Sequence, residues 1–312
     1  MLNRLLALLG RYATQAMAGG VFVGLLLPEL AATLRPGLAL AVWGLLYLAM
    51  MRIEWAALVE RIRKPALILI LMAWMMVVAP SLMALLMLGV ELRPGLEAAL
   101  ILTAASSSLF STPALAVMFG LDSVLLLIVL VATTLLVPIT LPLAALTLLG
   151  FDMGADPVAM MGRMAFIVLS AAASAGLTRK LLGNARLVTA APLLDGVVVI
   201  LLIAFAVGIM DGVTAKLLTD PADIVYVTAL SFAAYIGMML ISFLVFLVAI
   251  PDAGRRGALS AGFISGTRNL AIILAVLPPS VDPDIPLFFA IGQFPIYIMP
   301  LILKPVFRKL LR

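Results

Sequence analysis

The sequence predicts an all-α polytopic membrane protein: ten transmembrane helices in two inverted five-helix repeats, with helices 4 and 9 broken and crossing at the centre. Three observations carry this expectation. First, 65% of the 312 residues are apolar and only 11% charged, with a mean hydropathy of +1.27, whereas a soluble domain of this length covers itself with charge. Second, roughly 200 apolar residues at about 20 per crossing give about ten spans, and ten apolar runs are found. Third, polar residues gather at one depth in the fourth and the ninth of those runs.

Taken in order, residues 1–11 read as an N-terminal interfacial segment, because the apolar stretch before Arg11 is too short to span and lacks a small-residue cleavage site. Apolar runs follow at 12–33, 37–51, 65–88, 95–119 and 123–150, which form repeat 1 (12–150). Runs at 157–177, 187–210, 224–250, 257–278 and 284–304 form repeat 2 (157–306), and 307–312 is a basic cytoplasmic tail. The Gly20-x-x-x-Gly24 spacing in the first run and the many methionines read as helix packing. The longest polar gaps, Arg52 to Lys64 and Asp211 to Asp223, are barely a dozen residues each.

Lysine and arginine fix the sidedness. With a cytoplasmic N-terminus, 15 basic residues lie inside and only three, Arg35, Arg93 and Lys216, outside; cytoplasmic loops carry such an excess. Both termini are then expected to be cytoplasmic, in a multi-pass membrane protein. The net charge of +5 suits loops that face anionic lipid rather than nucleic acid. Two basic residues lie inside apolar runs. Arg163 is six residues past Pro157 and reaches the outer interface by snorkelling; Arg268 cannot.

There are no cysteines and no histidines, which excludes thiol nucleophiles, disulfides, zinc or haem sites built on those ligands, and histidine acid–base catalysis. An enzyme is not expected, nor a metal or other cofactor.

The fourth run reads Thr103-Ala-Ala-Ser106-Ser107-Ser108-Leu-Phe-Ser111-Thr112-Pro113, and the ninth Ser265-Gly266-Thr267-Arg268-Asn269. Proline removes a backbone donor and clashes with the preceding turn, so an interruption is expected at Ser111–Pro113 and another at Ser265–Asn269. Laid on each other at an offset of 155, the two segments match Thr112 to Thr267. Serine and threonine in membrane helices often bond their own carbonyls, but matched clusters in two halves point to a substrate site. Its candidate residues are Arg268, Asn269, Thr267, Ser265, Thr112, Ser111, Ser108 and Gln293. Gln15 is a lesser candidate.

Arg268 lies twelve residues from Arg256 and ten from Pro278, near mid-bilayer, where a guanidinium costs at least about 2.5–3.5 kcal/mol. It needs a partner. Asp195, the only acid well inside a run, offers a buried ion pair; a cavity-facing Arg268 instead receives an anionic substrate, its planar fork suiting a carboxylate.

The arrangement resembles the bile acid:sodium symporter superfamily over nearly the whole chain. The likeness rests on Arg61-Ile-Arg-Lys64-Pro65, Ala79-Pro80, the hydroxyl-rich fourth run up to Gly120-Leu-Asp122, Thr133-Thr-Leu-Leu-Val-Pro138, and Gly266-Thr-Arg-Asn-Leu-Ala271. It implies secondary transport of organic anions by alternating access, with spans 1, 2, 5, 6, 7 and 10 moving as a panel against a core of 3, 4, 8 and 9. The chain looks like a divergent prokaryotic member, because the positions that hold sodium ligands in coupled relatives read Ile264, Arg268, Thr112, Pro113 and Met75. Sodium coupling is therefore not expected.

The leading expectation is a transporter or facilitator of a small organic anion, a carboxylate or amphipathic acid, with membrane lipid around it and a proton on Asp195 as the candidate coupling ion. The alternative is a membrane sensor or scaffold that keeps the fold without transport. Monomer and homodimer both stay open. The topology is checked by reporter fusions: a fusion after Lys64 or after Arg312 is expected to report a cytoplasmic location, and a periplasmic signal from either removes the ten-span count.

Overall fold

The computed structural model describes residues 13–51, 53, 65–150, 156–278 and 280–311. The expected interfacial segment 1–11 and the Arg61–Lys64 approach to the third run lie outside the described residues, as does the side chain of Gln15. Helices account for nearly all of what is described; no strand occurs among the described residues, and the one β-bridge is isolated. The chain is an all-α polytopic membrane protein. Six helices are long and apolar enough to cross a membrane, Pro28–Met51, Pro65–Met87, Ser123–Leu149, Pro157–Gly183, Thr189–Thr219 and Pro221–Ala249, and the bent pair Asp284–Pro300 with Ile302–Leu310 makes a seventh if taken as one span.

The elements run α1 (Ala13–Leu26), α2 (Pro28–Leu34), a 3-10 turn, α3 (Leu38–Met51), α4 (Pro65–Met87), α5 (Pro94–Ala105), α6 (Thr112–Phe119) and α7 (Ser123–Leu149). After them come α8 (Pro157–Gly183), α9 (Thr189–Thr219), α10 (Pro221–Ala249), α11 (Gly254–Gly266), α12 (Leu270–Leu274), α13 (Asp284–Ile291) and α14 (Gln293–Leu310). Gly183, at φ 74°, separates α8 from the helix after it, a conformation that costs a glycine little. The expected basic tail is helical as far as Leu310, where α14 ends.

The chain divides into two compact units, which are not the two sequence halves. The first joins residues up to Ile53 with Ala165–Val225 and Leu274–Val276. In it Gly20 and Gly24 seat α1 on α9: a Cβ on Gly24 would stand 2.7 Å from the Val207 carbonyl oxygen, which is the close backbone approach that small residues permit. Trp43 Nε1 donates to Ser170 Oγ and Tyr47 Oη to Thr178 Oγ1, both at 2.9 Å, fastening α3 to α8. Arg179 donates to the carbonyls of Met51 and Ile53 beyond the end of α3, where orphan acceptors need partners. Asp195 lies in this unit, on α9, and is half-buried.

The second unit joins Glu54–Met164, Tyr226–Ile273 and Leu277–Arg312. It therefore contains α7, α13 and α14, the fifth and tenth spans, which the resemblance assigns to the panel. Packing explains their place here. The rings of Phe119 on α6, Phe263 on α11 and Phe307 on α14 meet with centroids 5.1–5.8 Å apart. In α4, Pro80 cannot donate to the carbonyl four residues back and its ring crowds that carbonyl; the helix opens at Trp74–Val78 into a π turn, which absorbs the misfit. Asp122 caps α7, its Oδ1 accepting from Leu125 N at 3.0 Å.

Helix α11 lies against α10 through glycine. A Cβ on Gly262 would stand 2.8 Å from the Met239 carbonyl oxygen, and one on Gly266 3.2 Å from that of Tyr235. Gly262→Ala is expected to destabilise by about 1–3 kcal/mol, whereas Gly176→Ala, with nothing within 4 Å of the new Cβ, is neutral or mildly stabilising. Thermal unfolding of the purified protein in detergent compares them; equal melting temperatures would refute the close approach.

Candidate functional site

Both runs singled out by their polar residues are broken, and the breaks touch. Helix α5 ends at Ala105, Ser106 is extended (φ −71°, ψ 159°), and α6 begins at Thr112. Helix α11 ends at Gly266 and α12 begins at Leu270. The interruption in the fourth run thus lies at 106–111, just before the expected Ser111–Pro113. Pro113 does not kink anything: it sits in the first turn of α6, where its missing N–H would have had no helical partner.

The two breaks pair antiparallel, Ser108 against Arg268. Leu109 N donates to the Thr267 carbonyl at 3.0 Å and Asn269 N to the Ser107 carbonyl at 2.9 Å. Backbone groups freed by unwinding are in this way satisfied inside the protein, the condition under which irregular backbone is tolerated at membrane depth. Side chains reinforce the contact. Ser108 Oγ donates to Thr112 Oγ1 (3.1 Å), Thr112 Oγ1 to Thr267 Oγ1 (2.9 Å), and Thr267 Oγ1 to the Phe263 carbonyl (2.9 Å). Thr112 and Thr267 are therefore partners across the contact. Thr103 and Ser106 make the local bonds usual for hydroxyls in helices, Thr103 to Ala99 and Ser106 to the Thr103 carbonyl.

Arg268 is fully buried. Its Nε donates to the Ser265 carbonyl at 2.9 Å and its Nη1 to the Ser106 carbonyl at 2.7 Å. These oxygens belong to the last turn of α11 and the cap of α5, the negative ends of two helices. The guanidinium takes carbonyls where the sequence offered it a carboxylate. With two of its three nitrogens so engaged, its fork is not free to clamp a carboxylate, and only Nη2 has no hydrogen-bond partner.

The remaining candidates fall into place unequally. Asn269 caps α12, its Oδ1 accepting from Ala271 N at 3.2 Å. Ser265 is buried and its Oγ unpartnered. Ser111 is exposed at the start of α6 and makes no side-chain cap. Gln293 is buried at the start of α14, but its Nε2 donates to the Phe289 carbonyl of the preceding helix, at 3.1 Å. Asp195 belongs to the other unit.

Sequence reasoning missed Tyr235. It is 3% exposed on α10, its hydroxyl has no hydrogen-bond partner, and its backbone lies against Gly266, two residues before Arg268. The available signal was a phenol in mid-run, since buried tyrosines usually place their hydroxyl on a partner. A separate cavity of about 220 Å³ lies among α4, α5 and α10, lined by Trp74, Met83, Leu100, Gly237, Met238 and their neighbours. It is apolar, and its Ser242 hydroxyl already accepts from Trp74 Nε1 at 2.8 Å. Among the described residues no group of three or more acidic, histidine or cysteine side chains could hold a metal ion. No protein-family model matches the chain, and no curated protein matches it.

The hydroxyl chain predicts a difference between neighbours. Thr112→Val removes both the donor to Thr267 and the acceptor for Ser108, and is expected to cost about 1–3 kcal/mol; Ser111→Ala, one residue away and exposed, is expected to stay within about 0.5 kcal/mol. Thermal unfolding of the two variants tests this, and an undisturbed Thr112→Val protein would show that the chain holds nothing.

Proposed function

We propose that the protein is a secondary carrier or facilitator of a small organic anion, working by alternating access and without sodium. The observation that carries this reading is a buried arginine at the contact of two broken helices. A carboxylate that enters a low-dielectric site needs positive charge close by, because an unpaired buried anion costs several kcal/mol. In the sodium-coupled relatives that the sequence resembles, bound cations supply it. Here Arg268 stands at the glutamine position of that ligand set, while the other ligand positions carry Ile264, Met75, Pro113 and a Thr112 hydroxyl already engaged with Thr267. The charge is built into the chain.

Ten spans in two inverted repeats, with both termini cytoplasmic in a bacterial inner membrane, complete the proposal. An offset of 160, in place of 155, supports the repeat. It relates Ser108 to Arg268, the pair at the bridge, and it exchanges the two backbone bonds there, Leu109 to Thr267 and Asn269 to Ser107. Equivalent segments facing each other antiparallel are what a two-fold axis produces. Helix starts follow the same spacing within two residues: Pro94 with Gly254, Thr112 with Leu270, and Ser123 with Asp284. Under that relation the ends of the broken helices are tied in both directions. Arg256 Nη2 donates to the Leu121 carbonyl at 2.9 Å and Asp122 N to Ser260 Oγ at 3.1 Å, while Arg93 pairs with Asp284 at 3.2 Å.

The competing reading is a sensor or scaffold without transport, and the carbonyl bonds that hold Arg268 in place favour it. Flux decides. Uptake of small carboxylates into proteoliposomes is expected to saturate and to persist when choline replaces sodium; loss of uptake in choline would refute sodium independence, and no saturable uptake of any carboxylate would leave the scaffold. Arg268→Gln is expected to weaken anion affinity about tenfold or more, so unchanged affinity would remove the arginine's role. Downhill movement, exchange or proton coupling through Asp195 takes the place of the sodium gradient; under proton coupling, Asp195→Asn is expected to abolish the pH dependence of uptake.

A further inference from the structure

Four buried polar atoms around the contact of the broken helices have no hydrogen-bond partner: Arg268 Nη2, Tyr235 Oη, Ser107 Oγ and Ser265 Oγ. None of their side chains belongs to a residue more than 3% exposed. Buried polar groups are nearly always paired, because one left unpaired keeps its full desolvation penalty, so four in one neighbourhood require a common explanation. They are neighbours. The Ser265 carbonyl accepts from Arg268 Nε and the Ser107 carbonyl from Asn269 N. The Tyr235 backbone lies against Gly266, two residues before Arg268 in the chain.

What would satisfy them follows from their chemistry. Nη2 carries two N–H donors and no acceptor, and the three hydroxyls can each donate, so the missing partner is an acceptor. Charge narrows it further. The carbonyl ends of α5 and α11 face Arg268 with about half a negative charge each, but α6 and α12 begin at the same contact and bring positive ends that offset them. Among the described residues no carboxylate bonds to the guanidinium, whose partners are the Ser265 and Ser106 carbonyls. A whole positive charge is left buried in the protein, where it needs an opposite one. Full burial sets the size: the acceptor has to be small and compact, and with Nε and Nη1 engaged it meets the guanidinium at one nitrogen.

We propose that the contact of the broken helices binds a single halide-sized monovalent anion, chloride in the cell, held by Arg268 Nη2 and the Tyr235 hydroxyl with Ser265 and Ser107 around it. The site needs no transport activity and would serve a scaffold equally. It makes the contact a chloride-dependent joint, in which the anion completes the charge balance of the two breaks.

Bromide is the probe. Crystals of the full-length detergent-solubilised protein grown in sodium bromide are expected to show an anomalous peak at hydrogen-bond distance from Nη2, and the melting temperature in solution should rise saturably with chloride against isethionate at equal ionic strength. Tyr235→Phe, which keeps the ring and removes one donor, is expected to weaken the apparent chloride affinity about fivefold. Arg268→Gln should abolish the dependence if it folds. A water without anomalous signal beside Nη2, or equal melting temperatures in chloride and isethionate, overturns the proposal. So does a Tyr235→Phe protein with wild-type chloride affinity.

Discussion

A guanidinium sealed inside an apolar protein is the constraint on which the rest of the second unit depends. Arg268 is held by two carbonyls, Ser265 and Ser106, that are accessible only because two helices stop. Had α5 and α11 run on unbroken, those oxygens would have been consumed by the helix four residues later, and the cation would have had no partner. The breaks in turn persist because their freed backbone groups find each other, through the Ser107–Asn269 and Thr267–Leu109 bonds. Cation and breaks thus stabilise one another, and neither is tolerable alone at membrane depth.

Getting two irregular segments that close requires helices that approach almost backbone to backbone. Gly262 and Gly266 supply that on one side, where any side chain would meet Met239 or Tyr235. At the far ends the broken helices are tied to the turns of the opposite segment, Arg256 and Ser260 holding Leu121 and Asp122, and Arg93 holding Asp284. Gly95 fits because a Cβ there would run into the Asp282 carboxylate. The contact is therefore fixed at its middle by hydrogen bonds and at both ends by charge and capping. That is the preorganisation a binding site needs, since groups already held in place lose little freedom when a ligand arrives.

Much of this was legible in the chain. Apolar run length marked the helices, because only about 20 apolar residues span a bilayer. The clusters at Thr103–Pro113 and Ser265–Asn269 marked the two broken runs, and Gly20-x-x-x-Gly24 marked a close helix contact. Pro113 misled by a few residues: a proline signals an interruption, but the sequence does not say whether it ends one helix or opens the next. The offset of 155 misled for another reason. It paired Thr112 with Thr267 by residue type, and these two are bonded to each other, since polar residues that meet across a contact share a composition just as equivalent residues do.

The sequence alone determined the solvent, the all-helical class, the two weak points in the helices and the buried charge that had to be answered. These follow from transfer free energies and local backbone chemistry, which each residue carries with it wherever it is placed. Only the tertiary structure decided which partner answered the charge. Two main-chain carbonyls, of Ser265 and Ser106, answer it, and their direction is set by where helices end. The same holds for Tyr235: its place beside Arg268 depends on α10 lying against α11, a packing relation between residues far apart in the chain that no local pattern encodes.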